Sequence, residues 1–421
     1  MKVLSLFDGM SCGMLAMQSA GVDVDRYVAY EIDKYAIKTS IHNFPTIEHN
    51  GDVFHADFTE YSGFDFLIGG SPCTYWSIAQ KNNRETEASG MGWELFSQYV
   101  RALHEANPMY FIYENNKSMS KAIRKSITET FGFEPICINS ALVSAQNRQR
   151  LYWVGKRNPD GTYRRVHVEQ PEDRGILLRD VLDGVTDREK ARCVLSSAGR
   201  TTTREYFTKQ QGTMAAEQVR IPEYGIQDKA RPLGANYSNN CGGFEHRMFS
   251  EKPNKQQVDM VAHRVGALPR PNGELSTSQA FRVYSANGKS VNITAGGGGA
   301  GGKTGLYAIP IEFDGDVPTK AISGADGKAY PVYMVKDGQI TIKGKSYPIK
   351  LADGYYIIRK LTVSECKRLQ TVPEWFEFPV SDTQAYKMLG NGWTVEVIAY
   401  LIKAALCGIG EQLDLFDMAV I

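Results

Sequence analysis

The first 157 residues alternate between short apolar runs and stretches with helical periodicity. The apolar runs predict strands and the amphipathic stretches predict helices. This alternation is typical of an α/β domain with a mostly parallel sheet and helices on both faces. The predicted strands are Lys2–Phe7, Tyr27–Tyr30, Phe64–Ile68, Met109–Tyr113, Glu134–Asn139 and Leu151–Gly155, and the predicted helices are Met14–Ala20, Trp93–Asn107 and residues 118–130.

The pattern changes after residue 157. Residues 158–357 are rich in Gly, Asn, Ser and Thr, which predicts a smaller, mostly β and irregular domain. Its short β-like runs are Phe281–Tyr284, Ser290–Thr294, Gln339–Lys345 and Tyr355–Ile358. Helical periodicity returns where Thr362 and Glu365 have the spacing of a capping box, and an apolar helix over Thr394–Leu406 is expected to pack back on the first domain. We therefore divide the chain into residues 1–157, an inserted domain at 158–357 and a return segment at 358–421.

Charge is distributed unevenly, although the 421-residue chain has a formal net charge of only +1. Residues 161–350 carry 27 Lys and Arg against 20 Asp and Glu, a net charge of +7, and the remainder carries 21 against 27. A polyanion would therefore meet the middle of the chain. The seven cysteines are scattered without a Cys-x-x-Cys pair, which favours neither disulfides nor zinc. Since no leader-like or membrane-length apolar run is present, we expect a cytoplasmic protein without metal or membrane contact.

Cys73 follows a predicted strand, at a turn shaped by glycine and proline. Gly69 and Gly70 would let the backbone turn sharply and leave room for a ligand, and Pro72 fixes its own φ. The thiol is then expected to face a pocket at the carboxyl end of the sheet, where open α/β folds bind ligands. The alternative is a cysteine packed in the core, since free cysteines are among the most buried residues.

Three successive strand ends carry Gly9, Glu31 and Asp52. A carboxylate at position 31 is suited to accept hydrogen bonds from a ribose diol, and Asp52 could accept from an adenine amino group. The first turn lacks the Gly-x-Gly-x-x-Gly pattern, which favours a nucleoside or amino-acid moiety over pyrophosphate. Taken singly, each acid could equally be a solvated loop carboxylate.

Further charged residues lie near the expected site. Glu114 ends the strand that we expect beside the strand of Cys73. Arg148 and Arg150 alternate before another strand, and they would either aim two guanidiniums along one side or form a solvated edge. The stretch Tyr75–Gly92 is too polar for a core and would suit a mobile lid.

A glycine tract, Gly297–Thr304, matches the P-loop pattern by its letters. A P-loop must open a helix whose amino end holds phosphate. The residues that follow, Gly305–Pro310, predict a turn and a short strand instead. We therefore reject nucleotide hydrolysis.

An ordered set of short motifs runs through both ends of the chain. The motifs are Ser5-Leu6-Phe7-Asp8-Gly9, Glu31, Asp52, Gly70-Ser71-Pro72-Cys73, Glu114-Asn115, Gln146-x-Arg148-x-Arg150, Arg359–Thr362 with Arg368-Leu369-Gln370, and Gly390-Asn391. In order and spacing they resemble the DNA (cytosine-5) methyltransferases over roughly residues 1–157 and 358–408. The middle matches only as that family's variable target-recognition domain. The chain departs from the family pattern at Asp8, at Asn116 and at Gly392-Trp393, where Ser-Val is usual.

The resemblance implies a Rossmann-like, S-adenosylmethionine-dependent methyltransferase fold and the transfer of a methyl group to carbon 5 of a cytosine flipped out of double-stranded DNA. Cys73 would bond transiently to carbon 6, and Glu114 would hold a proton at ring nitrogen 3. Arg148 and Arg150 would bind the carbonyl oxygen of the base, and Arg150 is also a candidate to anchor Glu114 or the backbone. The cofactor pocket would be lined by Phe7, Gly9, Glu31, Asp52, Pro72, Leu95 and Asn391. We expect a monomer, and a companion restriction endonuclease is a candidate partner.

Two other functions keep the same fold. One is methylation of RNA, and the large middle domain argues for duplex DNA instead. The other is DNA binding without catalysis, which the presence of Cys73, Glu114 and Arg148 disfavours.

Overall fold

The computed structural model describes residues 1–72, 74–77, 84–183, 185–186, 261–276, 278–293, 305–311, 321–324 and 328–407. Three features singled out in the sequence fall outside these residues: Cys73, residues 78–83 of the predicted lid, and the P-loop-like glycine tract up to Thr304. The described residues form two β-sheets and seven α-helices.

The first sheet is mostly parallel, as predicted. Its strands are β1 (Lys2–Leu6), β2 (Arg26–Tyr30), β3 (Glu48–His49), β4 (Phe66–Gly69), β5 (Tyr110–Asn116), β6 (Ile136–Asn139), β7 (Gln149–Arg157) and β8 (Tyr163–Arg165). They lie in the order β3-β2-β1-β4-β5-β7-β6, with β7 antiparallel to its neighbours and β8 paired to β7. The sheet therefore extends past residue 157, where the sequence pattern ended. The strand order reverses between β1 and β4, which places a crevice at their carboxyl ends.

Helices cover both faces of this sheet. They are α1 (Cys12–Ala20), α2 (Lys34–Asn43), α3 (Gly90–Ala106), α4 (Lys121–Phe131), α5 (Val363–Leu369), α6 (Asp382–Asn391) and α7 (Val395–Cys407). Val3 faces the core formed with α1 and α7, whereas Leu4 and Leu6 face an aromatic core under α3 and α4, because strand side chains alternate. The predicted C-terminal helix does pack back on the first domain, against α1. None of the described helices has both the length and the apolar character that crossing a bilayer requires.

The second sheet lies in the middle segment and extends to residue 359; where the structure describes this segment, it is mostly strand and irregular chain, as predicted. Its strands are β9 (Val185–Thr186), β10 (Arg264–Ala267), β11 (Arg282–Ser285), β12 (Leu306–Ile311), β13 (Ala321–Gly324), β14 (Ala329–Lys336), β15 (Gln339–Ile342), β16 (Lys345–Pro348) and β17 (Gly354–Arg359). Strand β12 follows Gly305, where a P-loop would need a helix, so the sequence-based rejection of a P-loop agrees with the structure. The β-like run expected at 290–294 is wrong over its described residues, 290–293, where Ser290 makes an isolated bridge to Gln146 and no strand forms; Thr294 lies outside the described residues.

The segment around Lys289 fastens the middle segment to the first sheet's domain. Lys289 is fully buried, and its ammonium group donates hydrogen bonds to the carbonyl oxygens of Ala141 (2.8 Å), Ser144 (3.2 Å) and Ile176. Burial lowers the pKa of this lysine. The next residue, Ser290, pairs through its main chain with residues 145 and 147. This attachment fixes the loop that leads into Arg148.

Candidate active site

The carboxyl ends of β4 and β5 meet at Gly70. A Cβ atom at position 70 would lie 2.7 Å from the carbonyl oxygen of Glu114 and 3.0 Å from its Oε2 atom. A Cβ atom at Gly69 would lie 2.6 Å from the carbonyl oxygen of Leu6. Neither glycine has a positive φ. Glycine is therefore required at both positions because neighbouring strands approach closely, and not because the backbone turns sharply there, as the sequence suggested.

The main chain that leads to Cys73 is anchored by a buried polar cluster. The Ser71 hydroxyl lies 2.7 Å from the Tyr113 hydroxyl, and the Asn115 amide donates to the Ser71 carbonyl oxygen at 3.2 Å. Asn115 also accepts from the main-chain N–H of Asn116 at 2.8 Å. These bonds tie the turn after β4 to the end of β5, the strand that carries Glu114.

Both carboxylate oxygens of Glu114 have a donor. Arg150 Nε lies 3.0 Å from Oε1, and each of these two side chains is only 12% exposed. The indole Nε1 of Trp393 donates to Oε2 at 3.0 Å. The structure thus pairs Arg150 with Glu114, one of the two anchoring partners that the resemblance offered for this arginine, and adds Trp393, which the sequence marked only as a departure from the family pattern.

Arg148 is buried and fastens the turn before α7. Its guanidinium donates to the carbonyl oxygens of Gly392 (2.7 Å), Gly390 (3.2 Å) and Ile293 (3.3 Å), and to the side chain of Asn292 at 2.9 Å. Arg148 and Arg150 therefore have different neighbours: Arg150 pairs with the glutamate, while Arg148 links the β7 entrance to residues 390–392 and to the middle segment.

Two glutamines complete the support of this turn. Gln370 donates to the Leu389 carbonyl oxygen at 2.6 Å and accepts from the Thr394 hydroxyl at 2.9 Å. Gln146 donates to the Leu369 carbonyl oxygen at 3.2 Å. Both glutamines lie in motifs that carried the family resemblance, but the sequence assigned them no role.

Glu31 closes the turn after β1. Phe7 and Glu31 directly follow the paired residues Leu6 and Tyr30, so they lie side by side at the sheet edge. Glu31 Oε2 accepts from the main-chain N–H of Gly9, and Oε1 accepts from the N–H groups of Ile32 and Asp33, each at 2.8 Å. Burial raises the pKa of the Glu31 carboxyl. The remaining lone pairs of this carboxylate can still accept from a ligand.

The other predicted cofactor residues lie at the surface or are half-buried. Asp52 caps a short 3-10 helix by accepting from the Phe54 N–H at 3.0 Å, and its side chain is 42% exposed. Leu95 is half-buried near the start of α3, and Pro72 and Asn391 are exposed. All of these follow strand ends, begin α3 or end α6.

The unusual Asp8 is a buried carboxylate within the turn after β1. It accepts hydrogen bonds from the hydroxyls of Ser5 (2.6 Å), Ser11 (2.5 Å) and Tyr27 (2.7 Å). Burial raises the pKa of Asp8, and the three hydroxyls oppose that rise. The cluster holds the turn in which Gly9 adopts a φ of 62°.

The described part of the predicted lid is anchored to the body of the domain. Trp76 is fully buried, so the expectation of a stretch too polar for any core was wrong at this residue. Its indole N–H donates to Glu85 at 3.0 Å, and Glu85 also accepts from the Gly92 N–H at 3.2 Å. Arg84 donates to the Ser118 carbonyl oxygen at 2.6 Å.

Replacing Gly70 with alanine is expected to lower by up to about 100-fold the methyl transfer that the resemblance implies. The added methyl group would displace Glu114, and a shift of about 1 Å in a group that acts on the substrate can cost that much. Gly161→Ala controls for backbone strain alone: Gly161 has nothing within 4 Å of a Cβ atom, but its φ of 84° disfavours alanine, so this variant should lose stability and keep its turnover. Turnover should be measured beside thermal unfolding. Full activity of Gly70→Ala would contradict the assignment.

Comparison with known proteins decides the family. The family model of the C-5 cytosine-specific DNA methylases matches residues 1–407. The chain belongs to the C-5 cytosine-specific DNA methylase family. It is therefore an enzyme, a DNA (cytosine-5) methyltransferase, as the motifs predicted. The described residues contain no group of three or more His, Cys, Asp and Glu side chains suited to hold a metal ion.

Similar relatives of this methylase carry matching names. An orphan methyltransferase, M.Rho11sI of Bacillus phage rho11s, is 28% identical over 80% of this chain and 68% of its own length. The type II methyltransferase M1.ScrFI of Lactococcus lactis subsp. cremoris is 29% identical over 96% of this chain and 78% of its own length.

Solved structures are similar in fold. The Dnmt2 methyltransferase of S. pombe has a TM-score of 0.51 at 13% identity, covering 97% of this chain and 99% of that chain. A mutant of DNMT2 from Spodoptera frugiperda has a TM-score of 0.52 at 16% identity, covering 96% and 99%. The predicted Rossmann-like methyltransferase fold is confirmed.

Proposed function

We propose that this methylase transfers a methyl group from S-adenosylmethionine to carbon 5 of a cytosine flipped out of duplex DNA, through a transient bond between Cys73 and carbon 6. One observation carries the proposal. The Glu114 carboxylate, held by Arg150, lies against Gly70 in the turn that leads to Cys73. A nucleophile and a carboxyl group would then face the same nucleobase from adjacent strands.

The chemistry explains why both groups are needed. Carbon 5 of cytosine is a poor nucleophile. Addition of the Cys73 thiolate to carbon 6 moves the electrons of the 5,6 double bond toward carbon 4 and nitrogen 3, and the resulting enamine makes carbon 5 nucleophilic. Glu114 would supply the proton at nitrogen 3 that absorbs the developing negative charge. After carbon 5 has taken the methyl group, its proton passes to water, the electrons of that C–H bond restore the 5,6 double bond and the thiolate leaves carbon 6. Nitrogen 3 then returns its proton to Glu114.

We assign different duties to the two arginines. Arg150 is suited to bind the carbonyl oxygen of the base, since it already contacts the carboxylate expected at the neighbouring ring nitrogen. Arg148 has its guanidinium on main-chain carbonyl oxygens, which suits a positioning residue for the turn at 390–392. We therefore propose that Arg150 alone binds the carbonyl oxygen of the base, and that Arg148, also expected to do so from the resemblance, supports the turn instead.

The residues at the sheet edge fit S-adenosylmethionine. Glu31 offers a fixed carboxylate with free lone pairs for a ribose diol, and Asp52 offers an exposed one for an amino group. Gly9 has a left-handed φ and open space at the Cβ position, so a ligand can approach the backbone closely. Phe7, Pro72, Leu95 and Asn391 are proposed to line the rest of the pocket. When bound, the cofactor would supply an electrophilic methyl group on a sulfonium.

Recognition of the DNA sequence is proposed for residues 158–357. In the hairpin of β15 and β16, Ile340 and Tyr347 are buried, whereas Lys343 and Lys345 are exposed, as is Lys350 two residues after the hairpin. Exposed lysines on a firmly packed hairpin suit contact with phosphates. We propose that residues 1–157 and 358–421 form the catalytic unit around this inserted domain.

Bisulfite sequencing of DNA from cells that express the chain tests the proposed function. We expect 5-methylcytosine at one short sequence and none in cells that express Cys73→Ser. Purified enzyme should be offered duplex DNA and RNA in competition with a labelled methyl donor. Labelling of RNA alone, or no labelling of either, would refute the proposal.

Replacing Glu31 with alanine should weaken cofactor binding more than DNA binding. We expect the Kd for S-adenosylmethionine to rise by about 10- to 100-fold, because one charged acceptor is lost. Glu48→Ala is the control, since Glu48 lies on β3 and pairs with Arg26 at the surface. Calorimetry gives the cofactor Kd, and a gel shift gives that of DNA. Equal weakening of both would count against the assigned role.

A further inference from the structure

Trp393 occupies a position where its indole can act on Glu114. The side chain is half-buried, and Nε1 donates to Glu114 Oε2 at 3.0 Å while Arg150 holds Oε1. The family pattern usually has valine at this position, and valine has no hydrogen-bond donor. The contact is therefore a property of this chain's own residue.

Two hydrogen-bond donors fix the orientation of the Glu114 carboxylate, which one donor would leave free to rotate. The terminal torsion of a glutamate side chain is broad, so a single partner restrains one oxygen and lets the carboxylate plane rotate. With Arg150 on one oxygen and Trp393 on the other, the plane is set. Gly70 lies against the carboxylate as well: a Cβ atom added at this position would be only 3.0 Å from Oε2.

The tryptophan is itself held in place. The preceding carbonyl oxygen, of Gly392, accepts from Arg148 at 2.7 Å, and Thr394 bonds to Gln370 at 2.9 Å. A Cβ atom at Gly392 would lie 3.1 Å from the sulfur of Cys12, which begins α1. The indole therefore projects from a turn that is fastened to β7 and to the first helix of the cofactor side.

We propose that Trp393 is a positioning residue that orients the Glu114 carboxylate for its contact with nitrogen 3 of the cytosine. This inference rests on the proposed function, because it assumes that Glu114 acts on the base. Trp393 would contribute to turnover through the glutamate, and it would contribute little to the binding of DNA or cofactor.

Kinetics of Trp393→Phe test the proposal. Phenylalanine keeps an aromatic ring but removes the N–H donor, and loss of a hydrogen bond to a charged group predicts a fall in kcat on the order of 10- to 100-fold. The KM for DNA and the Kd for S-adenosylmethionine should stay within about threefold of the wild-type values. Trp153→Phe is the matched control: Trp153 is fully buried, and its Nε1 has no hydrogen-bond partner among the described residues. It should keep the wild-type kcat.

A spectroscopic measurement adds a readout independent of turnover. In the NMR spectrum of protein labelled with 15N-tryptophan, the Nε1–H resonance of Trp393 is assigned as the peak that disappears in Trp393→Phe. This peak should shift in Glu114→Gln. It should keep its position in Glu105→Gln, which alters the separate pair of Glu105 with Arg101.

The outcomes separate this inference from the proposed function. A fall in kcat with unchanged binding, together with the shifted resonance, supports the positioning role. Wild-type kcat in Trp393→Phe, a raised cofactor Kd in place of a lowered kcat, or an unmoved resonance would overturn it while the enzyme remains a methyltransferase. A wild-type protein without methyl transfer would instead refute the proposed function.

Discussion

Cys73→Ser is expected to lower methyl transfer by at least ~10³-fold, because the hydroxyl of serine cannot replace a thiolate in attack on carbon 6. Specific DNA binding should persist, since in the proposed mechanism the thiol serves a covalent step and not recognition of the sequence. Transfer of a labelled methyl group measures the loss of activity, and a gel shift with unmethylated DNA that contains the target sequence measures the binding. A covalent adduct with 5-fluorocytosine DNA should form with the wild type and be absent from the variant.

Other cysteines provide the control. Cys12 is buried, and burial raises its pKa to about 12, so its thiol stays protonated at neutral pH. Cys407 is exposed at the end of α7. Cys407→Ser should retain wild-type turnover. If Cys73→Ser were fully active, the covalent mechanism would be wrong.

Glu114→Gln should lower kcat by about 10²- to 10⁴-fold, the range typical of removing a positioned acid or base. Glutamine has nearly the same shape, but it has no proton to share with ring nitrogen 3. Its amide group would also have to meet two donors, Arg150 and Trp393, with only one oxygen. Single-turnover methyl transfer at saturating DNA measures the effect on the chemical step.

The matched control for this change is Glu105→Gln. Glu105 also belongs to a partly buried pair, with Arg101 at 3.1 Å, but it lies near the end of α3. This variant should lose some stability and keep its kcat. Comparable losses of kcat in both variants would indicate a general effect of removing a glutamate and would remove the special role of Glu114.

Local patterns in the sequence were sufficient to predict most of the first sheet. Apolar strands bounded by glycine or acidic residues predicted β1, β2, β4 and β5 to within a few residues, because a buried parallel strand must be nearly continuously apolar. The capping box at Thr362 and Glu365 is confirmed, with the Glu365 N–H donating to the Thr362 hydroxyl at 3.1 Å. Such features depend on neighbours within a few positions along the chain.

Contacts between distant segments were beyond the sequence. Periodicity did not predict that Arg148 donates to the carbonyl oxygens of residues 390 and 392. Nor did it predict that the buried Lys289 donates to three carbonyl oxygens. In both cases the partners are more than 100 positions apart in the chain. Trp393 was visible only as an exception to a motif. Its donor acquires a partner because β5 and the turn before α7 meet in the folded chain.

The sequence by itself determined the family and the α/β class, and it supplied the candidates for the reacting groups, because each motif is a short run of characteristic residue types. Only the tertiary structure decided which groups share an environment. In the folded chain Arg150 pairs with Glu114, and Arg148 donates to the main chain of the turn at 390–392. Gly69 and Gly70 are needed because neighbouring strands leave no room for a Cβ atom. Distances between segments depend on how the sheets and helices pack, and no local pattern of residues encodes those distances.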